Sequence, residues 1–242
     1  MRRLILLALL AFPTACGAQT APTLTPMTRP QYLAECGARQ KRAGVEAKFI
    51  ASTCAQEFAT ATATLPLARA IVRIARTPPA QLQSQAQLKA IMPSIAWTRP
   101  VKQAPPITVV FQGSYAKDLA FSAMGAGKVQ TIAWNWSEET ATLPYDVPGA
   151  LRLLGAKVTA YACSTGGGAY GDERGTDYRV EVPGAAPLHL SIGGRDAAMG
   201  GQWGFWGITI EPGAPVPGYA ALVARARAGA DGDGESWSPC TE

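Results

Sequence analysis

Residues 122–129 read SAMGAGKV, close to the phosphate-binding pattern G-x-x-x-x-G-K-[ST]. That pattern works because glycines let backbone N–H groups wrap the phosphates while the lysine meets the outer ones. Here Ser122 stands where the first glycine belongs and Val129 where Ser or Thr belongs. The following QTIAWNW alternates like a strand and does not open a helix whose N-terminus could hold phosphate. The segment is expected to be a turn. Residues 161–175, YACSTGGGAYGDERG, fail as a phosphate cradle for the same reason, because TDYRVEV follows them. The tip, residues 172–174, keeps the option of touching a partner.

Nucleophilic catalysis by serine or cysteine needs a base, usually histidine, and His189 is the single histidine. In PLHLSIG it alternates with Leu188, Leu190 and Ile192, so it faces away from the side those residues bury. A surface position beside Ser191 is expected. No G-x-S-x-G occurs. Paired carboxylates can cleave glycosidic bonds without histidine. The adjacent acids Glu138 and Glu139, and Asp172 and Glu173, read instead as solvated loop residues, since adjacency in sequence does not set the separation such chemistry needs.

The C-terminal DGDGESWSPCTE places Asp231, Asp233, Glu235 and Glu242 at positions 1, 3, 5 and 12 of a calcium loop. Ser236 replaces the glycine such a loop needs at position 6, and no helix follows, so calcium is a weak candidate. Neither a metal site nor a cofactor is expected. The aromatics remain. Trp134 and Trp136 share one strand face, and Trp203 and Trp206 fall on opposite faces of theirs. Core packing competes with exposure, and Trp134, Trp136, Trp203 and Trp206 are the candidate surface for a protein or glycan partner.

The elements that must position these groups begin with an export signal over residues 1–18: Arg2 and Arg3, an apolar core, then small residues. Cleavage after Ala18 and lipidation at Cys16 are both consistent with it. Cys36, Cys54, Cys163 and Cys240 then remain, an even set that fits two disulfides in an oxidising compartment. Residues 19–28 form a linker and 29–102 a basic helical region with 11 Lys and Arg against 3 acids. From residue 103 onward the balance reverses to 9 against 14. Solvated helix faces account for the basic region, with an anionic envelope component as the sharper alternative. Nucleic acid is not an expected partner, and membrane contact is expected only through Cys16 or a basic helical face.

TRPQ from Thr28 has the form of a capping box and starts a helix to about Arg42; Gly44 breaks it. A second helix over about 45–62 and a third over 65–76 follow. Along one continuous helix the 18 residues between Cys36 and Cys54 would span about 27 Å, whereas a disulfide needs Cα atoms within about 7 Å. An antiparallel hairpin about Gly44 brings the two cysteines level and predicts their disulfide.

Beyond residue 103 an internal repeat is read. ITVVFQG answers YRVEVPG, LAFSA answers LHLSI, VPGALRLLGA answers VPGYAALVARARAGA, and VTAYAC answers ESWSPC. The fold class is therefore α+β: an N-terminal helical hairpin plus a third helix, then two tandem β-β-β-α-β units in antiparallel sheet. The first unit covers 103–163 and the second 177–242, joined by a Gly-rich connector over 164–176. Cys163 and Cys240 end the two units at equivalent places, which predicts the second disulfide. The expected function is a non-catalytic, exported binding or inhibitor-type module for an envelope protein or glycan. The rivals are a carboxylate-based hydrolase of cell-wall glycans and a structural lipoprotein anchored at Cys16.

Overall fold

The computed structural model describes residues 23–98, 109–115, 119–138, 145–168, 171–195, 204–229 and 236–240. The fold is α+β, with N-terminal helices followed by strands. Helix α1 (Arg29–Arg42) starts where the capping box places it: the Thr28 backbone N–H and hydroxyl both donate to Gln31 Oε1, at 2.8 and 2.7 Å. Gly44, at φ +77°, reverses the chain. Helix α2 (Ala47–Arg76) returns antiparallel, and the Cys36–Cys54 disulfide joins the pair with Cα atoms 5.7 Å apart.

The break expected before Leu65 does not occur. Helix α2 runs for 30 residues straight through Pro66. A proline inside a helix costs about 3 kcal/mol through its lost hydrogen bond and ring clash. Pro66 faces solvent, where water can take the freed carbonyl, while Leu67, Ala68, Ile71 and Ile74 behind it are at most 1% exposed. Each large apolar side chain so buried contributes about 1.5–3 kcal/mol, which outweighs the proline. By length and composition α2 could cross a membrane, but these residues are spent on the core. On its solvent side Arg73 donates to the Ile91 carbonyl at 3.2 Å and Arg76 to that of Pro183 at 3.2 Å, so these arginines pin loops. The third described α-helix is instead α3 (Gln85–Ile91).

Strands β1 (Ile95–Trp97), β2 (Val109–Tyr115), β3 (Leu119–Gly125), β4 (Thr131–Glu138), β5 (Lys157–Gly168), β6 (Gly171–Glu181), β7 (Leu188–Arg195), β8 (Gly204–Ile210) and β9 (Ser236–Ser238) form one antiparallel sheet. Its order is β1-β2-β3-β4-β8-β7-β6-β5-β9. Side chains alternate across it. One face carries Phe121, Trp134, Leu190, Ile208 and Ile210 into a single core with α2 and with α4 (Val147–Leu153). The other carries Ser122, Ala133, Asp177, His189 and Ser191, and α5 (Tyr219–Gly229) packs there with Leu222 buried.

The order β-β-β-α-β occurs twice along the chain, but the two runs pack differently. Helix α4 joins the helical layer, α5 lies across the sheet, and β5 leaves its own run to pair with β6 and β9. Within the expected connector, residues 164–168 and 171–176 are paired strand, since β5 and β6 stay in register to Gly168 opposite Gly171. Ser164 is flanked by Gly175 and Trp237, and Gly175 by Ser164 and Gly193. Ladder partners on both sides of Gly175, and on one side of Gly166, Gly167 and Gly168, offset the entropy these glycines lose.

The chain before α1 is not free either. Leu24 packs on the core and the Met27 N–H donates to the Leu153 carbonyl at 3.0 Å. Gly155 sits at φ +88°, and a Cβ there would lie 2.2 Å from the Thr25 carbonyl oxygen. Gly155→Ala is expected to destabilise the fold by about 2 kcal/mol or more. Gly44→Ala, with open space around it, should cost about 1 kcal/mol. Urea unfolding of both variants checks the ordering.

Candidate functional site

A cleft of about 860 Å³ opens between the helical hairpin and the β5–β6 end of the sheet. Its floor is Val158, Ala160, Thr176, Tyr178 and the Cys163–Cys240 disulfide; its walls are Glu35, Arg39 and Arg42 of α1, Thr53, Gln56, Glu57 and Thr60 of α2, and Asp146, Pro148 and Arg152 at α4. A β-bulge at Tyr161 sets the floor. Ala160 opposes Tyr178 and Ala162 opposes Asp177, so one extra residue lies between them. Val158 and Ala160 face the helices, and after the bulge the odd-numbered Cys163, opposite Thr176, does so too. Cys163 and Cys240 meet there with Cα atoms 5.1 Å apart.

The walls are held by their own polar groups. Arg39 and Gln40 both donate to Glu57. Arg152 lies 3.8 Å from Glu35 and donates to the Val158 carbonyl at 3.2 Å. Asp146 caps α4 by accepting the Gly149 N–H at 2.8 Å, and accepts the Tyr32 hydroxyl at 3.2 Å. Burial raises the Asp146 carboxyl above its ordinary value, more than these two bonds lower it. Burial and then the Asp146 charge hold the Tyr32 hydroxyl protonated throughout the neutral range. Three guanidiniums therefore face three carboxyl groups, and the cleft lacks the positive excess of the helical region as a whole.

A second polar group lies under α5. His189 is 5% exposed and not at the surface, because the face it points to is covered by Tyr161 and α5. Its Nε2 is 2.7 Å from Asp177 Oδ1 and its Nδ1 3.9 Å from Glu211 Oε2; Arg225 donates to Glu211 at 3.0 Å. Burial alone would lower the imidazole, but the bond to Asp177 and the nearby Glu211 carboxylate outweigh it and raise the group to about 9. At neutral pH both ring nitrogens carry protons aimed at carboxylates. No lone pair is left to deprotonate Ser191 or Ser164, and the arrangement is an ionic clamp.

Trp134 and Trp136 do not belong to a surface. Trp134 is fully buried and Trp136 is 3% exposed, with half-buried Trp206 on the same face, because that face meets α2. Phe121 stands edge-on to Trp134 at 5.6 Å and to Trp97 at 5.0 Å. Trp203, Cys16, the export signal and the acids Asp231, Asp233, Glu235 and Glu242 lie outside the described residues. So does Glu139, while Glu138 ends β4. Asp172 and Glu173 are neighbours within β6, opposite Gly167 and Gly166. Of the cleft residues, the sequence pointed only to Cys163 and Cys240, as a disulfide. The available signal was Glu35, Arg39 and Arg42 on one side of α1, a spacing that solvated helices share.

Compared with protein-family models, with curated proteins and with solved structures, the chain matches none.

Proposed function

We propose that the chain is a non-catalytic binding module of an oxidising, extracytoplasmic compartment, and that its ligand is an uncharged glycan held in the cleft. The observation that carries this is the composition of the cleft: planar Arg, Glu and Gln groups in balanced charge along the walls, over a less polar floor containing Tyr178. Forked donors and acceptors suit vicinal hydroxyls, and the floor suits the apolar face of a sugar ring. Balanced charge gives neither anions nor cations a long-range advantage. The volume falls in the range of small-ligand sites and suits a short oligosaccharide. Two disulfides fit a chain exported to the periplasm, either free there or anchored by lipid at Cys16.

The test is calorimetric titration of the oxidised protein with neutral and acidic envelope oligosaccharides. Binding of a neutral one is expected, weakened about tenfold, or 1.4 kcal/mol, in Gln56→Ala and in Arg42→Ala. Native affinity retained in both variants, or preference for acidic sugars, would remove the cleft assignment. Turnover of the oligosaccharide would replace binding with the hydrolase alternative.

A further inference from the structure

The two disulfides sit in opposite surroundings. Cys36 and Cys54 are 0% and 2% exposed, sealed between α1 and α2. Cys163 and Cys240 are half-buried and both line the cleft. Cys163 Sγ is 4.0 Å from the Thr176 hydroxyl, the one polar contact this disulfide makes among the described residues. What Cys240 holds in place is slight. Strand β9 makes three register pairs with β5, Ser236 opposite Thr165 to Ser238 opposite Cys163, and the Thr165 and Ser236 hydroxyls meet at 3.0 Å. A three-residue strand paired on one side at the sheet edge has little else to hold it among the described residues.

We propose that Cys163–Cys240 is a thiol–disulfide exchange site, opened from the cleft by a dithiol reductant, and that its opening releases β9 from the sheet edge. A thiolate of the dithiol attacks Cys240 Sγ, and the S–S bonding pair leaves with Cys163 Sγ. Thr176 is placed to donate its hydroxyl to that thiolate, which favours Cys163 as the leaving sulfur. The second thiol of the reductant, deprotonated in turn, attacks the mixed disulfide and expels Cys240. The reductant ends as a disulfide, two electrons pass to the chain, and the two thiol protons settle on Cys163 and Cys240. The Cys36–Cys54 bond offers no comparable approach and stays closed.

Graded dithiothreitol on the oxidised full chain, with rapid alkylation and peptide mapping, tests this. Cys163 and Cys240 should be labelled at least about tenfold faster than Cys36 and Cys54, access being the governing difference. Hydrogen exchange should then quicken at 236–238 while α1 and α2 stay protected. Thr176→Val should slow opening about fivefold, the worth of one hydrogen bond, without changing the rate at Cys36–Cys54. Simultaneous labelling of all four cysteines, or first labelling of Cys36 and Cys54, would overturn the proposal. So would unchanged exchange at 236–238 after Cys163–Cys240 has opened. None of these readouts depends on glycan binding.

Discussion

Replacing His189 with alanine is expected to lower the unfolding free energy by about 3–5 kcal/mol, the cost of leaving a buried ion without its partner. Asp177 is 2% exposed, and the imidazole is its partner in the clamp at 2.7 Å. The double change Asp177→Asn with His189→Gln should cost less than His189→Ala, since no unpaired charge remains. The pH dependence follows from the same geometry. The folded imidazole titrates at about 9, above its ordinary 6.5. Its stabilisation is therefore full below pH 6.5 and is lost as pH rises through about 9. Glu211 moves the other way. The nearby His189 and then Arg225 hold its carboxyl below 4.5 despite burial, so its contribution is present above that value and fades as pH falls below it. Urea unfolding between pH 4 and 10 should show both limbs in the native chain. The limb between 6.5 and 9 should disappear in the double variant; its persistence would place its origin elsewhere.

Trp134→Ala is expected to cost about 3–5 kcal/mol as well, through a large cavity at the centre of the sheet. The ring is fully buried between Phe121 on β3 and Ile208 on β8, beneath α2. Its Nε1 is buried with no hydrogen-bond partner among the described residues. Trp134→Phe gives up ring volume but also removes that unsatisfied donor, and should cost about 1 kcal/mol. Thermal unfolding of the two variants measures the difference. Equal losses would mean that the indole N–H is satisfied in solution. A ligand-binding defect in Trp134→Ala is expected to report unfolding and not a lost contact.

What could be read from the chain depended on how local the information was. The α1–α2 hairpin follows from Thr28, Gly44 and the near-equal distances of Cys36 and Cys54 from that glycine. The Cys163–Cys240 pair could be anticipated only from the order of elements, since no local rule joins cysteines 77 residues apart. Alternation showed that Trp134 and Trp136 share a face and that His189 opposes Leu188 and Leu190. It could not show which face a neighbouring layer covers. Helix α2 covers the first and α5 the second, and both depend on packing between distant segments. The cleft was illegible for a related reason: Glu35, Arg39 and Arg42 become a wall only when β5 and β6 stand opposite. Residues 164–176 read as a loop because glycines signal turns, and strand pairing at 164–168 and 171–176 overrode that signal.

The bulge at Tyr161 acts as a phase shift written by a single residue. Before it, the even positions of β5 belong to the helical layer; after it, the odd ones do. The bulge thus keeps Ala160 and Cys163 on the same layer although three positions separate them. Its length is consequently under a constraint that its side-chain chemistry does not reveal. Loss of Tyr161 would straighten the strand and leave Ala160 and Cys163 on the helical side, whereas one further residue inserted there would turn Cys163 toward α5, away from Cys240. Substitutions along β5 are graded changes, whereas an inserted residue is a frame error in three dimensions.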